Sequence, residues 1–210
     1  MRVLIACEFS GIVRDAFSRM GHDAWSCDVL DSERPGNHIK GSVLNVLGDG
    51  WDLMIAHPPC TYLANSGVRW LYIDGQKNEV RWALMGDASA FFIELLSAPI
   101  PRIAIENPIM HRHARNQIDT PYTQIVQPYQ FGHGETKATC LWLHNLPRLT
   151  PTNCVEGRIA RVHQEAPSAE RWKNRSRTYQ GIADAMAAQW GIEDSLPVVS
   201  QRSLFNLMEA

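Results

Sequence analysis

The chain has no basic excess. Its 210 residues hold 20 Lys and Arg against 22 Asp and Glu, a formal net charge of −2 at pH 7. Proteins that grip duplex nucleic acid tightly neutralise several phosphates with Lys and Arg. A strongly cationic DNA-coating protein is therefore excluded. A cysteine framework is missing too. Cys7, Cys27, Cys60, Cys140 and Cys154 are odd in number and scattered, with no C-x-x-C pair. That spacing supplies neither a zinc ribbon nor a dithiol redox motif, and it points to a reducing cytoplasm. No apolar run is long enough to span a bilayer. Arg2 leads straight into a strand-like segment, so no signal peptide is expected. Internal repeats and low-complexity tracts are absent. So is the G-x-G-x-x-G turn of dinucleotide-binding proteins.

What is present is a short apolar run that stops abruptly, Asp52-Leu-Met-Ile-Ala-His-Pro-Pro-Cys60. Runs of this kind form buried strands. Two prolines cannot continue a sheet ladder, so the chain must turn there. Cys60 is thus expected in a stiff loop at a strand's carboxyl end, the edge where open α/β sheets bind ligands. Buried cysteines are commonly small core residues, and packing alone would account for the other four.

The surrounding pattern alternates strands with helices. Strands are expected at Arg2–Ala6, Ala24–Cys27, Trp51–Ala56, Arg102–Glu106, Gln124–Gln127 and Ala138–Leu143. Helical spacing marks Ile12–Met20, stopped by Gly21, as well as Asn78–Leu96 and Thr178–Trp190. Residues 31–41, 61–76 and 145–176 read as loop, the second of them mobile. This order predicts an α/β fold, a doubly wound, mostly parallel sheet. Its length fits one domain over residues 1–192, with 193–210 as a C-terminal tail.

Other strand ends carry chemistry-bearing residues. The first strand leads into Glu8-Phe9-Ser10-Gly11, where a glycine lets backbone approach a ligand beside a helix N-terminus. The second ends at Asp28-Val29, and an acid there suits ribose hydroxyls. Arg102–Glu106 ends in Glu106-Asn107-Pro108, where burial would raise the carboxyl pKa and let it hold or give a proton. Arg158, Arg161, Arg171, Lys173, Arg175 and Arg177 crowd one short stretch, either a solvated loop or a phosphate-contacting patch. His111 and His113 have no further ligands at metal-binding spacing, so a helix surface and no metal are expected. Trp70 or Tyr72, following Cys60, could stack on a nucleobase, while the other tryptophans read as packing.

Glu8-Phe9-Ser10-Gly11, His57-Pro58-Pro59-Cys60 and Ile105-Glu106-Asn107-Pro108, in that order, resemble the ordered motifs of the cytosine-5 DNA methyltransferases. The resemblance extends through Tyr129-Gln-Phe-Gly132 and Gly181-Ile-Ala183 and covers most of residues 1–190. It implies a Rossmann-like class I methyltransferase fold and S-adenosylmethionine as cofactor. Phe9, Ser10, Gly11, Asp28, Val29, Ser42 and Pro58 would line that cofactor. Cys60 would add to C6 of cytosine, Glu106 would hold N3 and the amino group, and Lys137 would lie near the pyrimidine as a cation.

This chain departs from the family at several points. Ile12-Val13 stand where more glycine is usual, and Ser42 follows Gly41 where an aspartate is common. Glu135-Thr-Lys137-Ala-Thr139 replaces Gln-x-Arg-x-Arg, and Lys137 lacks an arginine's bidentate fork. Gly181-Ile182 replaces Gly-Asn. Residues 150–177 are a short remnant of the family's long target-recognition region, too little chain to read several base edges. The expected partner is therefore DNA with weak or partner-assisted duplex recognition, or else a single strand or free cytidine nucleotide. A catalytically silent binding protein on the same fold is the rival from another class. A hydrolase using His57 and Cys60 is disfavoured, since no third group orients the histidine.

Overall fold

Alternation within short apolar strands builds two core layers. A computed structural model of the chain describes residues 1–192, and the expected tail at 193–210 lies outside the described residues. The strands are β1 (Arg2–Ala6), β2 (Asp23–Asp28), β3 (His38–Lys40), β4 (Leu53–Ala56), β5 (Tyr72–Ile73), β6 (Gln76–Lys77), β7 (Arg102–Pro108), β8 (Gln124–Val126) and β9 (Thr139–His144). Helices are α1 (Ile12–Arg19), α2 (Glu79–Leu96), α3 (Arg112–Ile118), α4 (Arg161–Gln164), α5 (Arg171–Ser176) and α6 (Gln180–Trp190). One seven-stranded sheet runs β3-β2-β1-β4-β7-β9-β8. Its first five strands are parallel, and β9 and β8 join antiparallel.

Successive residues of a strand face opposite sides. Val3, Ile5, Leu53, Ile55 and Ala104 pack on one side under Phe17 of α1 and Met186 and Trp190 of α6. Leu4, Ala6, Met54, Ala56, Ile103 and Ile105 pack on the other with Phe92 and Leu95 of α2 and Ile118 of α3. Both faces are covered, as a parallel sheet requires. This is the expected doubly wound, mostly parallel and Rossmann-like α/β architecture.

Register decides where the functional residues emerge. Ala6 pairs with Cys27 and Ala56, and Ala56 pairs with Ile105. The next residue of each strand therefore falls in one row across the sheet: Asp28, Cys7, His57 and Glu106. Because β9 is antiparallel, its first residue, Thr139, lies opposite Pro108. Lys137, two residues before it, is thereby brought to the same edge.

Several segments are more ordered than the sequence predicts. His38–Lys40 of the expected 31–41 loop adds to β2 as the edge strand β3. It is too short to show an alternation. Residues 61–76, expected as a mobile loop, form a 3-10 helix at Asn65–Leu71 and the β5–β6 hairpin. The tighter 3-10 turn carries no 3.6-residue period. Within 145–176, read as irregular, α4 and α5 are helical. His111 is not on a helix surface. It is buried as the N-cap of α3, its Nδ1 accepting from Ala114 N–H (3.1 Å) and its Nε2 donating to Tyr62 O (2.9 Å).

One buried cation shapes the ligand edge. Arg14 of α1 is 1% exposed. It donates to Ser26 Oγ (3.2 Å), Ser32 Oγ (3.0 Å), Asp15 Oδ1 (2.7 Å) and Pro35 O (2.9 Å), so it pins the segment after β2 against α1. Gly11 leaves the room it needs, since a Cβ there would collide with the guanidinium. Gly181 plays a similar part at α6, where a Cβ would run into the Phe131 carbonyl. Removing one partner of a buried charged network leaves the rest unpaired. Arg14→Met should therefore cost about 3 kcal/mol or more. Arg19→Met, which breaks a half-exposed pair with Asp184, should cost under about 1 kcal/mol. Urea midpoints of the two variants check this, and equal shifts would contradict it.

Candidate active site

The Cys60 loop is stiffened from both sides. His57 N–H still donates to Ala6 O (2.9 Å), so strand pairing persists to the edge of the proline turn. Asn107 on β7, 1% exposed, donates its Nδ2 to Pro58 O (3.0 Å). After the turn, Leu63 and Ala64 N–H both donate to Cys60 O (3.1 and 2.9 Å). Asn65 N–H donates to Ile109 O (3.1 Å) and His111 N–H to Leu63 O (3.0 Å), stitching the loop to the segment after β7. The Cys60 thiol is therefore held on a frame anchored to two strands.

Glu106 and His57 form a buried pair, each side chain about nine-tenths buried. His57 Nδ1 lies 2.9 Å from Glu106 Oε2, and Thr178 Oγ1 donates to the same oxygen at 3.4 Å. Burial alone would raise the Glu106 pKa, as the sequence leads one to expect. The expectation fails because the hydrogen bond and charge of His57, with the charge of Lys137, outweigh burial and hold the carboxyl at about 2. Burial pushes His57 down, but Glu106, and behind it Glu8, raise it above its ordinary 6.5. Glu106 is thus an ionised acceptor rather than a proton-bearing acid. His57 Nε2 is buried and has no hydrogen-bond partner.

The thiols differ in their surroundings. Burial and the charge of Asp28 push Cys7 to about 12. Burial pushes Cys27 and Cys140 to about 11. Burial raises Cys60 as well, but the cations Lys137 and Arg175 oppose it. Nearby cations are what favour a reactive thiolate.

The neighbouring strand ends form a second, acidic part of the edge. Gly11 adopts φ +69° as the N-cap of α1. Glu8 caps that helix instead, accepting from Val13 N–H (2.8 Å), Arg14 N–H (3.2 Å) and Ser10 Oγ (3.1 Å). Asp28 is half-buried. Its Oδ1 accepts from Leu30 N–H (2.9 Å), and burial raises its pKa. Val29 beside it is exposed, as is Ser42 at the end of β3, while Pro58 is buried. Helix α5 lies over the first turn. Trp172 packs 5.8 Å from Phe9, and Arg177 pairs with Glu33 at 2.6 Å.

Cys60, Glu106 and Lys137 act on one another electrostatically at this edge; Pro58 precedes Cys60 in its loop, Phe9, Ser10 and Gly11 follow β1, Asp28 ends β2, and Val29 and Ser42 are exposed beyond β2 and β3. The structure adds Glu8, His57, Asn107 and Thr178. His57 had a visible signal: it is a polar residue ending a strand of four apolar ones. Thr178 had none, because its approach to Glu106 depends on how α6 packs. Toward α6 the edge opens into a cavity of about 440 Å³ lined by Ile12, His133, Glu135, Arg161, Thr178 and Tyr179, among others.

Much of the basic stretch is engaged internally. Arg161 pairs with Glu135 (2.9 Å), Arg177 with Glu33 and Lys173 with Glu170 (3.2 Å). Arg158 stacks on Tyr129 at 3.5 Å, and Arg171 donates to Glu165 O. Trp70 and Tyr72 are each about half exposed, with Arg69 over the Trp70 ring. Among the described residues no group of three or more His, Cys, Asp or Glu is arranged to hold a metal ion, and no helix is long and apolar enough to cross a membrane.

No family model matches the sequence, and no curated protein matches it. Among solved structures the chain is similar to a protein assigned as a DNA modification methyltransferase, encoded within a prophage of E. coli. Identity is 14% and the TM-score 0.45, over 80% of this chain and 56% of that one. It is also similar to EhMeth, a methyltransferase of Entamoeba histolytica, at 13% identity and TM-score 0.45, over 75% and 57%. The chain thus spans just over half the length of these two proteins.

The pair predicts a pH signature. A carboxyl whose folded pKa is depressed stabilises the fold above its ordinary value, and that contribution is lost as pH falls through the folded value. For Glu106 the window runs from 4.5 down to about 2. A histidine whose folded pKa is raised stabilises below 6.5 and loses that contribution as pH rises through its folded value. The stability difference between wild type and Glu106→Gln, measured by urea unfolding across pH, should plateau between those limits and shrink on both sides. A pH-independent difference would contradict the pair.

Proposed function

We propose that the protein transfers a methyl group from S-adenosylmethionine to C5 of cytosine in DNA, through a covalent Cys60 adduct at C6. The carrying observation is the juxtaposition at one sheet edge of a proline-stiffened thiol, an ionised buried carboxylate and a lysine whose charge reaches both.

The first turn suits that cofactor better than a dinucleotide. A pyrophosphate needs the free N–H groups of a helix N-terminus, and here Glu8 already occupies those of Val13 and Arg14. The two carboxylates at this edge, Glu8 and Asp28, favour a cationic group such as a sulfonium. Asp28 would accept from the ribose hydroxyls through the oxygen that Leu30 does not engage. Phe9, Ser10 and Gly11 would line the cofactor, with Val29, Ser42 and Pro58 around its adenosine. When bound, S-adenosylmethionine supplies an electrophilic methyl group.

The chain's own residues do the rest. Cytosine C5 is a poor nucleophile until a thiolate adds at C6. Lys137 and Arg175 favour the Cys60 thiolate, and Asn107 fixes its loop through Pro58. Glu106, ionised by His57, accepts from the 4-amino group and orients the ring. Addition makes C5 enamine-like and able to take the methyl. Loss of the C5 proton and departure of Cys60 then restore the aromatic ring. A target within a duplex must first be flipped out of the stack.

A second substrate reading, a single strand or free cytidine nucleotide, is favoured by the internal pairing of Arg161, Lys173 and Arg177. Those side chains have less charge to offer phosphates. Incubation with labelled methyl donor and duplex DNA, single-stranded DNA or dCMP separates the two. Label is expected in DNA and absent from the Cys60→Ser reaction. Label in dCMP alone would overturn the DNA assignment, and methylation surviving Cys60→Ser would overturn the mechanism.

A further inference from the structure

We propose that the 3-10 helix at Asn65–Leu71 and the β5–β6 hairpin form a docking surface for single-stranded DNA. Trp70 and Tyr72 stack on bases beside the target, and Arg69 and Arg81 meet its phosphates. The inference deepens the proposed function by naming a single strand as its substrate, and it rests on that reading for the choice of DNA.

The surface grows directly out of the nucleophile loop. Arg81 of α2 donates to Thr61 O (2.8 Å), and its guanidinium lies 4.4 Å over the Tyr62 ring. Gly67 leaves the room this needs, since a Cβ there would crowd both the Arg81 guanidinium and Thr61 O. One side chain of α2 thus ties the surface to the two residues that follow Cys60. The backbone beyond is fixed as well. Asn78, the N-cap of α2, donates its Nδ2 to Trp70 O (3.3 Å) and its N–H to Leu71 O (2.9 Å). Trp82 Nε1 donates to Leu71 O at 3.2 Å. Leu71 is buried, while the rings on either side of it stand out, Trp70 at 49% and Tyr72 at 47% exposure. Trp82 meets Tyr72 edge-on at 6.1 Å and packs on His113 at 4.9 Å. Rings presented from an anchored backbone have little freedom left to lose on binding.

The chemistry selects the partner. Arg69 lies 4.6 Å over the Trp70 ring. Among the described residues no carboxylate pairs with Arg69 or Arg81. Nearby, Lys77 is paired with Glu79 (2.8 Å), and Asp74 sits at the hairpin tip. The basic stretch at 158–177 is the reverse case, with Arg161, Lys173 and Arg177 all paired. Open aromatic faces beside unpaired guanidinium groups are the parts from which single-strand grooves are built: bases stack on the rings, and cations follow the backbone. A duplex keeps its base faces inside its own stack and offers none to Trp70. A free cytidine nucleotide has one base, which Cys60 and Glu106 would already hold. A single strand has both the target and unstacked neighbours.

Binding is measured without methyl donor, by fluorescence anisotropy, on the full chain with a labelled cytosine-containing oligodeoxynucleotide, single-stranded or annealed to its complement. Wild type should bind the single strand more tightly, and its tryptophan emission should be quenched. Trp70→Ala and Tyr72→Ala should each weaken single-strand affinity about fivefold to a hundredfold, the range for losing one base stack. Trp70→Phe keeps a ring, so it should keep most of the affinity and lose most of the quenching. Arg69→Gln should lower the slope of log affinity against log salt by about 0.7. Arg19→Met, on α1, should change none of these. In the methylation assay Trp70→Ala should raise KM for the single strand and leave kcat little changed. Duplex binding as tight as single-strand binding, or a Trp70→Ala affinity within about twofold of wild type, overturns the inference. So does unquenched wild-type emission at saturating single strand, a result that needs no variant to fold. If Cys60→Ser abolishes methylation while Trp70→Ala binds as wild type does, this inference fails alone. If binding depends on Trp70 but wild type methylates no DNA, the proposed function fails and the single-strand surface stands.

Discussion

The parallel register that aligns Ala6, Ala56 and Ile105 is the constraint on which the site depends. Each of these strands is apolar and buried up to that row, and each turns polar at or just past it. A side-chain period of two means that a one-residue slip would turn a whole strand inside out. Burial on both faces forbids the slip. Glu8, His57 and Glu106 therefore meet at one edge because three apolar strands stop in step. The segment leading into the antiparallel β9 adds Lys137 to that edge, and the segment leading into α6 adds Thr178.

Electrostatics then divides the edge into two regions. Beneath the first turn, Glu8 satisfies the α1 N-terminus, and Asp28 remains a half-buried acid beside it. Around Cys60, burial still raises the thiol, and the cations Lys137 and Arg175 oppose that rise. His57 stands between the regions and feels both Glu8 and Glu106. An ionised Glu106 therefore acts as an acceptor toward His57 and Thr178.

Much of this was legible in the order of residues. Strand ends at Ala6, Asp28 and Ala56 follow from apolar runs meeting turn residues, and the doubly wound sheet follows from their alternation with helices. Short elements escaped: β3 has three residues, and Asn65–Leu71 is a 3-10 helix without the 3.6-residue period. Interactions between distant residues escaped as well. The burial of Glu106 can be read from its strand, but the 2.9 Å hydrogen bond from His57, 49 residues away, cannot, and that bond reverses the sign of the carboxyl's pKa shift. The partners of Arg161 and Arg177, and hence how little of the basic stretch is left for phosphates, depend on packing that no local pattern encodes.

The central claim is a covalent bond between Cys60 and C6 of a pyrimidine. It is tested most directly with an oligodeoxynucleotide carrying 5-fluorocytosine, incubated with the protein and S-adenosylmethionine. Fluorine cannot leave C5 as a proton does, so the methylated adduct cannot collapse. Intact mass spectrometry should then show protein joined to methylated oligonucleotide, and peptide mapping should locate the bond at Cys60. An unmodified protein mass beside methylated product on ordinary cytosine DNA, or a bond at any other residue, would contradict the account.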